Sequence, residues 1–475
     1  MLASLDKRWL ALIVLCLGDL MIVLDTTIVN VALPSIKADL GFSETSLVWV
    51  VNAYMLTFAG FLLLGGRLGD LFGQRRLFLV GLTIFTLASL ACGVADTQTT
   101  LIVARALQGI GGAIVGAIAL SLIMNLFQEP KERARAMGII GFISAGGGSV
   151  GVLLGGILTG NFDWHWNFLV NIPIGIGVFI ACLYLLPHSR REDHPGKLDL
   201  WGAVAVTASL MLAVYGIVGG NQAGWLSTET LGFLGAAAVL MAAFLWIESR
   251  VTHPLMPLSI FKLRSVAVAN IVGILWSAAM FSWFFVSALY LQIVLGYDPL
   301  KVGLAFLPGN LIMAAFSLGL SAWAVNRFGF RWPLTIGMAS ISLGLLLFAM
   351  APVNGNFLIH VLPAMSLLGL GAGLAFNPVL LAAMSDVKEE DSGLASGVVN
   401  TAFMMGGSLG LAVLASIAAS RTQHLIADGM EYVPALNSGY HAAFFFGAIF
   451  AAIAAIVAGV FLRNMRASSH AVNLH

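Results

Sequence analysis

Charge is what this sequence has least of. Lysine, arginine, aspartate and glutamate make up 9% of its 475 residues, where soluble domains carry about 25%. With 59% of residues hydrophobic, the chain suits a bilayer rather than water. The little charge present nearly cancels, at +1, which excludes an electrostatic nucleic-acid partner. Cysteine is scarce as well. Cys16, Cys92 and Cys182 sit in three different apolar runs without any C-x-x-C spacing, so neither a disulfide framework nor a metal site is expected. The nine histidines are scattered, mostly in loops and tails, which argues against a membrane-embedded enzyme. No cofactor signature is present, and the phosphate-loop pattern G-x-x-x-x-G-K-[ST] does not occur, so a pump that hydrolyses ATP within this chain is excluded. Nor is a signal peptide expected. The apolar run after Arg8 is about 25 residues long, beyond a signal h-region, and no A-x-A site follows it.

What is present is a series of apolar runs long enough to cross a hydrocarbon core, each about 20 residues. Fourteen can be marked, near 9–33, 46–65, 77–95, 100–124, 136–159, 167–186, 198–218, 230–248, 266–290, 302–325, 332–350, 357–384, 393–420 and 440–462. With that count, 19 of the 23 basic residues fall on the side of the termini. Only Lys37, Lys301 and Arg421 fall opposite, and Arg105 is internal. By the positive-inside rule, both termini are expected in the cytoplasm. No connecting loop is long enough for a soluble domain, so function must reside in the helices.

The two ends of the chain echo each other. Gly138, Gly147 and Gly151 recur as Gly397, Gly406 and Gly410, each 259 residues later. The loop Asp70-Leu-Phe-Gly73-Gln-Arg75 has a weaker copy, Asn326-Arg-Phe-Gly329-Phe-Arg331, at an offset of 256. Gln108-Gly109-Ile-Gly111 faces Leu368-Gly369-Leu-Gly371 at 260. Such agreement predicts duplication of a six-helix unit: one bundle over 1–196, a second over 251–475, and two inserted helices over 197–250. Two similar bundles with a site at their midplane interface are a common plan for secondary transporters.

Within the apolar runs stand Asp19, Asp25 and Arg105. An ionised side chain at bilayer depth costs at least about 2.5–3.5 kcal/mol, so such residues usually line an ion or substrate path. At a rise of 1.5 Å per residue, Asp25 lies roughly 12 Å and Arg105 roughly 8 Å from the same membrane face, which allows an ion pair. Asp19 lies six residues deeper, turned some 120° away by the same helix geometry. The pair could equally be a structural tie between two helices. Coupling to protons would need a carboxyl whose proton affinity changes as the site opens. Burial and a neighbouring arginine pull that affinity in opposite directions. The expected substrate cavity is lined by Asn52, Gln108, Trp276, Phe281, Trp283, Tyr290, Asn310, Asn377, Asn400, Phe403 and Met404. Its aromatic and methionine surface suits an amphipathic cation.

Four stretches carry a family resemblance: Leu24 to Pro34, Gly66 to Arg76, Arg105 to Gly112, and Gly138 to Gly156. On these the chain resembles the major facilitator superfamily, and within it the fourteen-helix drug:proton antiporters. The resemblance implies an all-α membrane protein that exports amphipathic drugs or metabolites by alternating access, without a cofactor. Its expected partners are the substrate, protons and the lipid bilayer of the bacterial inner membrane, with no obligate protein partner. It further implies that Asp25 takes up the proton. Gly66, Asp70, Gly73, Arg75 and Arg76 would form a cytoplasmic latch, and Gly138, Gly147, Gly151, Gly155 and Gly156 the antiporter motif. One departure matters: Val152 stands where the family pattern has proline after Gly151. That leaves open an uncoupled or differently coupled carrier of lipid-like substrates. His165, at a position where many relatives have arginine, is expected in an outer loop.

Overall fold

A computed structural model describes residues 7–127, 129–186, 199–251, 254–387 and 392–462. It is all-helical. The first part contains α1 (Lys7–Leu40), α2 (Val48–Phe72), α3 (Gln74–Gly93), α4 (Gln98–Leu126), α5 (Pro130–Asn161), the single turn α6 (Trp166–Leu169) and α7 (Asn171–Leu185). Next come α8 (Leu200–Ala223) and α9 (Thr228–Arg250). The last part holds α10 (Arg264–Leu289), α11 (Pro299–Ala315), α12 (Ser321–Phe328), α13 (Arg331–Phe348), α14 (Leu362–Met384), α15 (Ser392–Ala427) and α16 (Tyr432–Phe461). Among the described residues, eleven helices are long and apolar enough to cross a membrane. Three shorter apolar helices, Val48–Leu62, Val150–Asn161 and Pro299–Ala315, lie in three of the remaining predicted runs.

Local signals set the helix ends. Thr97, Ser227 and Asp298 each accept a hydrogen bond from the backbone N–H three residues on, capping α4, α9 and α11. The repeated loop also has a repeated backbone. Gly73 between α2 and α3 has φ 90°, and Gly329 between α12 and α13 has φ 77°. Side chains with a Cβ rarely adopt that region, which is why glycine survives in the weaker copy while the acid does not.

Helix pairing follows the duplication. In the first part α1 packs on α4, α5 and α7, and α4 on α2 and α3. In the last part α10 packs on α14, α15 and α16, and α14 on α11 and α13. The two parts meet through α2 with α15 and α5 with α11. Among the described residues, the hydrogen bonds between them include three that lie away from the ends carrying the termini. Gln292 Nε2 donates to Val31 O (2.8 Å) and Asn52 Nδ2 to Ser408 O (3.0 Å). Tyr432 OH donates to Glu44 Oε1 (3.0 Å), which also pairs with Lys37. The pair α8–α9 lies outside this scheme, with α8 resting on both α2 and α15.

Candidate functional site

Glycine lets α5 pack closely against α1, the helix that carries Asp25. A Cβ at Gly147 would lie 2.9 Å from Leu20 Cδ1, one at Gly151 would lie 2.0 Å from Thr27 Oγ1, and one at Gly155 would lie 2.7 Å from Ile28 O. This four-residue spacing makes one smooth stripe against α1. Gly156 points elsewhere: its Cβ would lie 2.6 Å from Pro299 O of α11. One helix therefore serves two seams. Gly138 falls in α5, but its surroundings lie outside the described residues.

Asp25 is fully buried, and both its oxygens are engaged. Oδ2 accepts from Arg105 Nη1 at 2.5 Å. Oδ1 accepts from Gln108 Nε2 at 2.7 Å and from Asn171 Nδ2 at 3.2 Å. Arg105, 1% exposed, also donates from Nη1 to Gln108 Oε1 (2.6 Å) and from Nε to Val50 O (2.9 Å). Its guanidinium lies over the Tyr54 ring at 4.5 Å and near the Phe168 ring at 5.6 Å. Gln108 Nε2 further donates to Ser89 Oγ at 2.7 Å. An ion pair taken out of water persists only when its remaining donors and acceptors are met, and here α1, α2, α3, α4 and α7 all contribute. The predicted Asp25–Arg105 pair thus forms. Gln108, expected on the substrate cavity, is a bridging member of the ion-pair network. Asp19 is half-buried, six residues nearer the terminal end of α1.

The predicted aromatics divide into three groups. Trp276, Phe281 and Phe403 join in one edge-to-face chain, extended by Phe376 of α14. Phe376 is 43% exposed. Met404 is half-buried and Asn400 exposed one turn away on α15, while Asn377 donates to Ser317 O (2.8 Å). Trp283 instead packs with Phe284 and Phe306 in the interior of the last part. Tyr290 is buried near Phe348 and donates to Pro352 O (2.9 Å). Asn310 is buried between α11 and its neighbours with neither polar atom of its side chain paired.

In the predicted latch, Arg75 Nη2 donates to Leu183 O at 2.6 Å, tying α3 to the end of α7. Gly66 borders open space, Gly73 makes the turn, and Arg76 is exposed. The Asp70 side chain lies outside the described residues. His165 sits on the Asp163 carboxylate (3.1 Å) and stacks on Trp164, an ordinary exposed turn. Sequence reasoning missed Tyr54, Ser89, Phe168 and Asn171. The available signal was weak: Ser89 and Asn171 are isolated polar residues in apolar runs.

Comparison with known proteins agrees with this architecture. The chain is 39% identical over 424 residues to the puromycin resistance protein pur8 of Streptomyces alboniger, covering 89% of this chain and 84% of that one. It is 38% identical to the cephamycin export protein CmcT of Amycolatopsis lactamdurans, with 87% and 85% covered. Against the multidrug resistance protein Stp of Mycobacterium tuberculosis it is 37% identical, with 86% and 76% covered. Among solved structures, the POT family transporter PepTSo shares the fold at TM-score 0.69 and 17% identity, covering 96% of this chain and 98% of that one. The sequence profile of the Major Facilitator Superfamily matches residues 15–411, and the chain belongs to that family of membrane transporters.

Proposed function

We propose that this transporter is a proton-coupled exporter of amphipathic cationic drugs or antibiotics, working by alternating access across the bacterial cytoplasmic membrane. It has fourteen spans with both termini cytoplasmic, divided as a bundle over 1–196, an inserted pair over 197–250 and a second bundle over 251–475. The substrate path runs between the halves, past the Trp276–Phe376–Phe403 chain. The names and coverage of the relatives support export of drug-like molecules.

The observation that carries proton coupling is the buried network around Asp25. A proton on Asp25 removes the charge that compensates Arg105. The guanidinium still keeps neutral acceptors in Gln108 Oε1 and Val50 O, and the faces of Tyr54 and Phe168. Such groups let the arginine remain buried while the carboxyl cycles between charged and neutral. A cationic substrate near the same network disfavours the proton, so export and proton entry exclude one another in one half-cycle. Asp19, nearer the cytoplasmic end, is the first acid such a cation meets. The latch residues Gly66, Asp70, Gly73, Arg75 and Arg76 hold that end when it closes.

The test is transport into inverted vesicles with an imposed pH gradient. Accumulation of a cationic amphiphile should require the gradient and stop when an ionophore dissipates it. Transport that ignores the gradient would favour the uncoupled carrier, to which Val152 in an unbroken α5 points.

A further inference from the structure

A cavity lies away from the Trp276–Phe376–Phe403 chain. It measures about 890 Å³ and lies in the groove where α8 and α9 lean on α2 and α4. Pockets that take drug-sized ligands measure about 300–1,000 Å³. Three aromatic residues line it: Trp49 of α2, Tyr215 of α8 and Phe233 of α9. The Trp49 and Tyr215 rings are 6.3 Å apart, and Tyr215 meets Phe233 edge-on at 4.6 Å. Glu229, in the first turn of α9, supplies the one charge among the lining residues. It is not needed as a cap, because Ser227 already accepts from Thr230 N.

We infer that this groove is a binding site for amphipathic monocations, entered sideways from the bilayer and created by the inserted pair α8–α9. Aromatic faces attract a cation through the ring quadrupole, and a carboxylate at the mouth of the groove fixes its position. A phospholipid fits less well: among the described residues, no lysine or arginine lines the groove to meet a phosphate. Another groove beside α8 has Arg421 and His424 among its lining residues. The cation groove backs onto the buried network through Ala53 and Ala106, the chain neighbours of Tyr54 and Arg105. It is a separate site, because a helix layer stands between them.

Photolabelling of the full chain in neutral detergent micelles with ethidium monoazide tests the assignment. Labelled peptides should include residues 45–53 or 211–233. Glu229→Gln should lower that labelling by roughly five-fold, in line with losing one charge beside an aromatic cage. Tyr215→Ala should lower it as well. The labelling needs no pH gradient, so it stands or falls independently of proton coupling. Labels confined to the central helices, or labelling indifferent to both Glu229→Gln and Tyr215→Ala, would overturn the site. Displacement of the label by phosphatidylethanolamine would assign the groove to lipid and overturn the proposed ligand class.

Discussion

Gly147 and Gly151 of α5 press on Val23 and Thr27 of α1, and Gly406 and Gly410 of α15 press on Ile274 and Ala278 of α10. Both contacts set α10 251 residues after α1, so Trp276 stands where Asp25 stands. The fourth helix of each half adds the rest: at an offset of 260, Met365 replaces Arg105 and Leu368 replaces Gln108. All three replacements are buried. One half thus holds a buried ion pair at the place where the other holds an aromatic side chain, a thioether and a leucine. The scaffold does not require charge there, since its twin packs without any. On our reading the first half carries proton coupling and the second grips the substrate.

The largest effects should come from the matched pair Asp25 and Trp276. Asp25→Asn keeps the volume and an acceptor for Arg105, but an amide cannot exchange a proton. Gradient-driven export should vanish while the protein still inserts and purifies, as judged by its elution profile. Trp276→Phe should keep gradient dependence and change apparent substrate affinity by several-fold, through lost ring area on Phe376 and Phe403. If Trp276→Phe abolished coupling and Asp25→Asn spared it, the division between halves would be reversed.

Arg105→Lys sharpens the same contrast. Lysine keeps the charge but loses the fork that reaches Asp25, Gln108 and Val50 together. Transport should slow markedly and its pH optimum move, because the carboxyl would be held differently. A pH profile identical to the native one would make the pair a structural tie, the other reading its position allows.

The duplicated glycines test whether the halves pack alike. A methyl at Gly410 would lie 2.1 Å from Ala278 Cβ and 2.4 Å from its Cα, where backbone must move. At Gly151 the obstacle is the Thr27 hydroxyl, which can rotate away at the expense of its bonds to Val23 O and Leu24 O. Gly410→Ala should cost more, up to about 3 kcal/mol of overpacking strain, and Gly151→Ala about 1 kcal/mol. Thermal unfolding in detergent would show the difference. Equal shifts would mean that the two seams yield equally.

The pattern of the sequence made much of this legible. Glycine needed on one face of a helix recurs with helical spacing, so the α1–α5 and α10–α15 seams could be read as a repeat. Rise per residue was enough to bring Asp25 and Arg105 to one depth. It was not enough to find Tyr54, Ser89, Phe168 and Asn171, which meet the pair only because α2, α3, α6 and α7 converge on it. Lone polar and aromatic residues in apolar runs carry no spacing signal. Trp283 and Tyr290 were grouped with Trp276 because all three are large and close in sequence. Rotation about the α10 axis and the π-helical turn at its end send them to different neighbours.

The smallest expected effect concerns Val152, where the two seams of α5 come closest. Its side chain is 1% exposed, and its carbonyl oxygen lies 3.0 Å from where a Cβ on Gly303 of α11 would sit. A proline there would remove the hydrogen bond to the carbonyl of Gly148 and crowd it. In an ordinary helix interior that costs about 3 kcal/mol. Neighbouring helices in a membrane can re-satisfy the freed carbonyl. Glycine at 148 and 151 also gives the kink room to form, since a Cβ at Gly148 would touch only Thr27 Cγ2, at 3.9 Å. A bend at Val152 would tilt the C-terminal third of α5, which carries Gly156 against Pro299, and so loosen the seam between α5 and α11. Val152→Pro should therefore change the transport rate a few-fold while gradient dependence persists, measured in the same inverted vesicles. Coupling that appeared only in the proline variant would identify the native chain as an uncoupled carrier and leave Asp25–Arg105 as a helix tie.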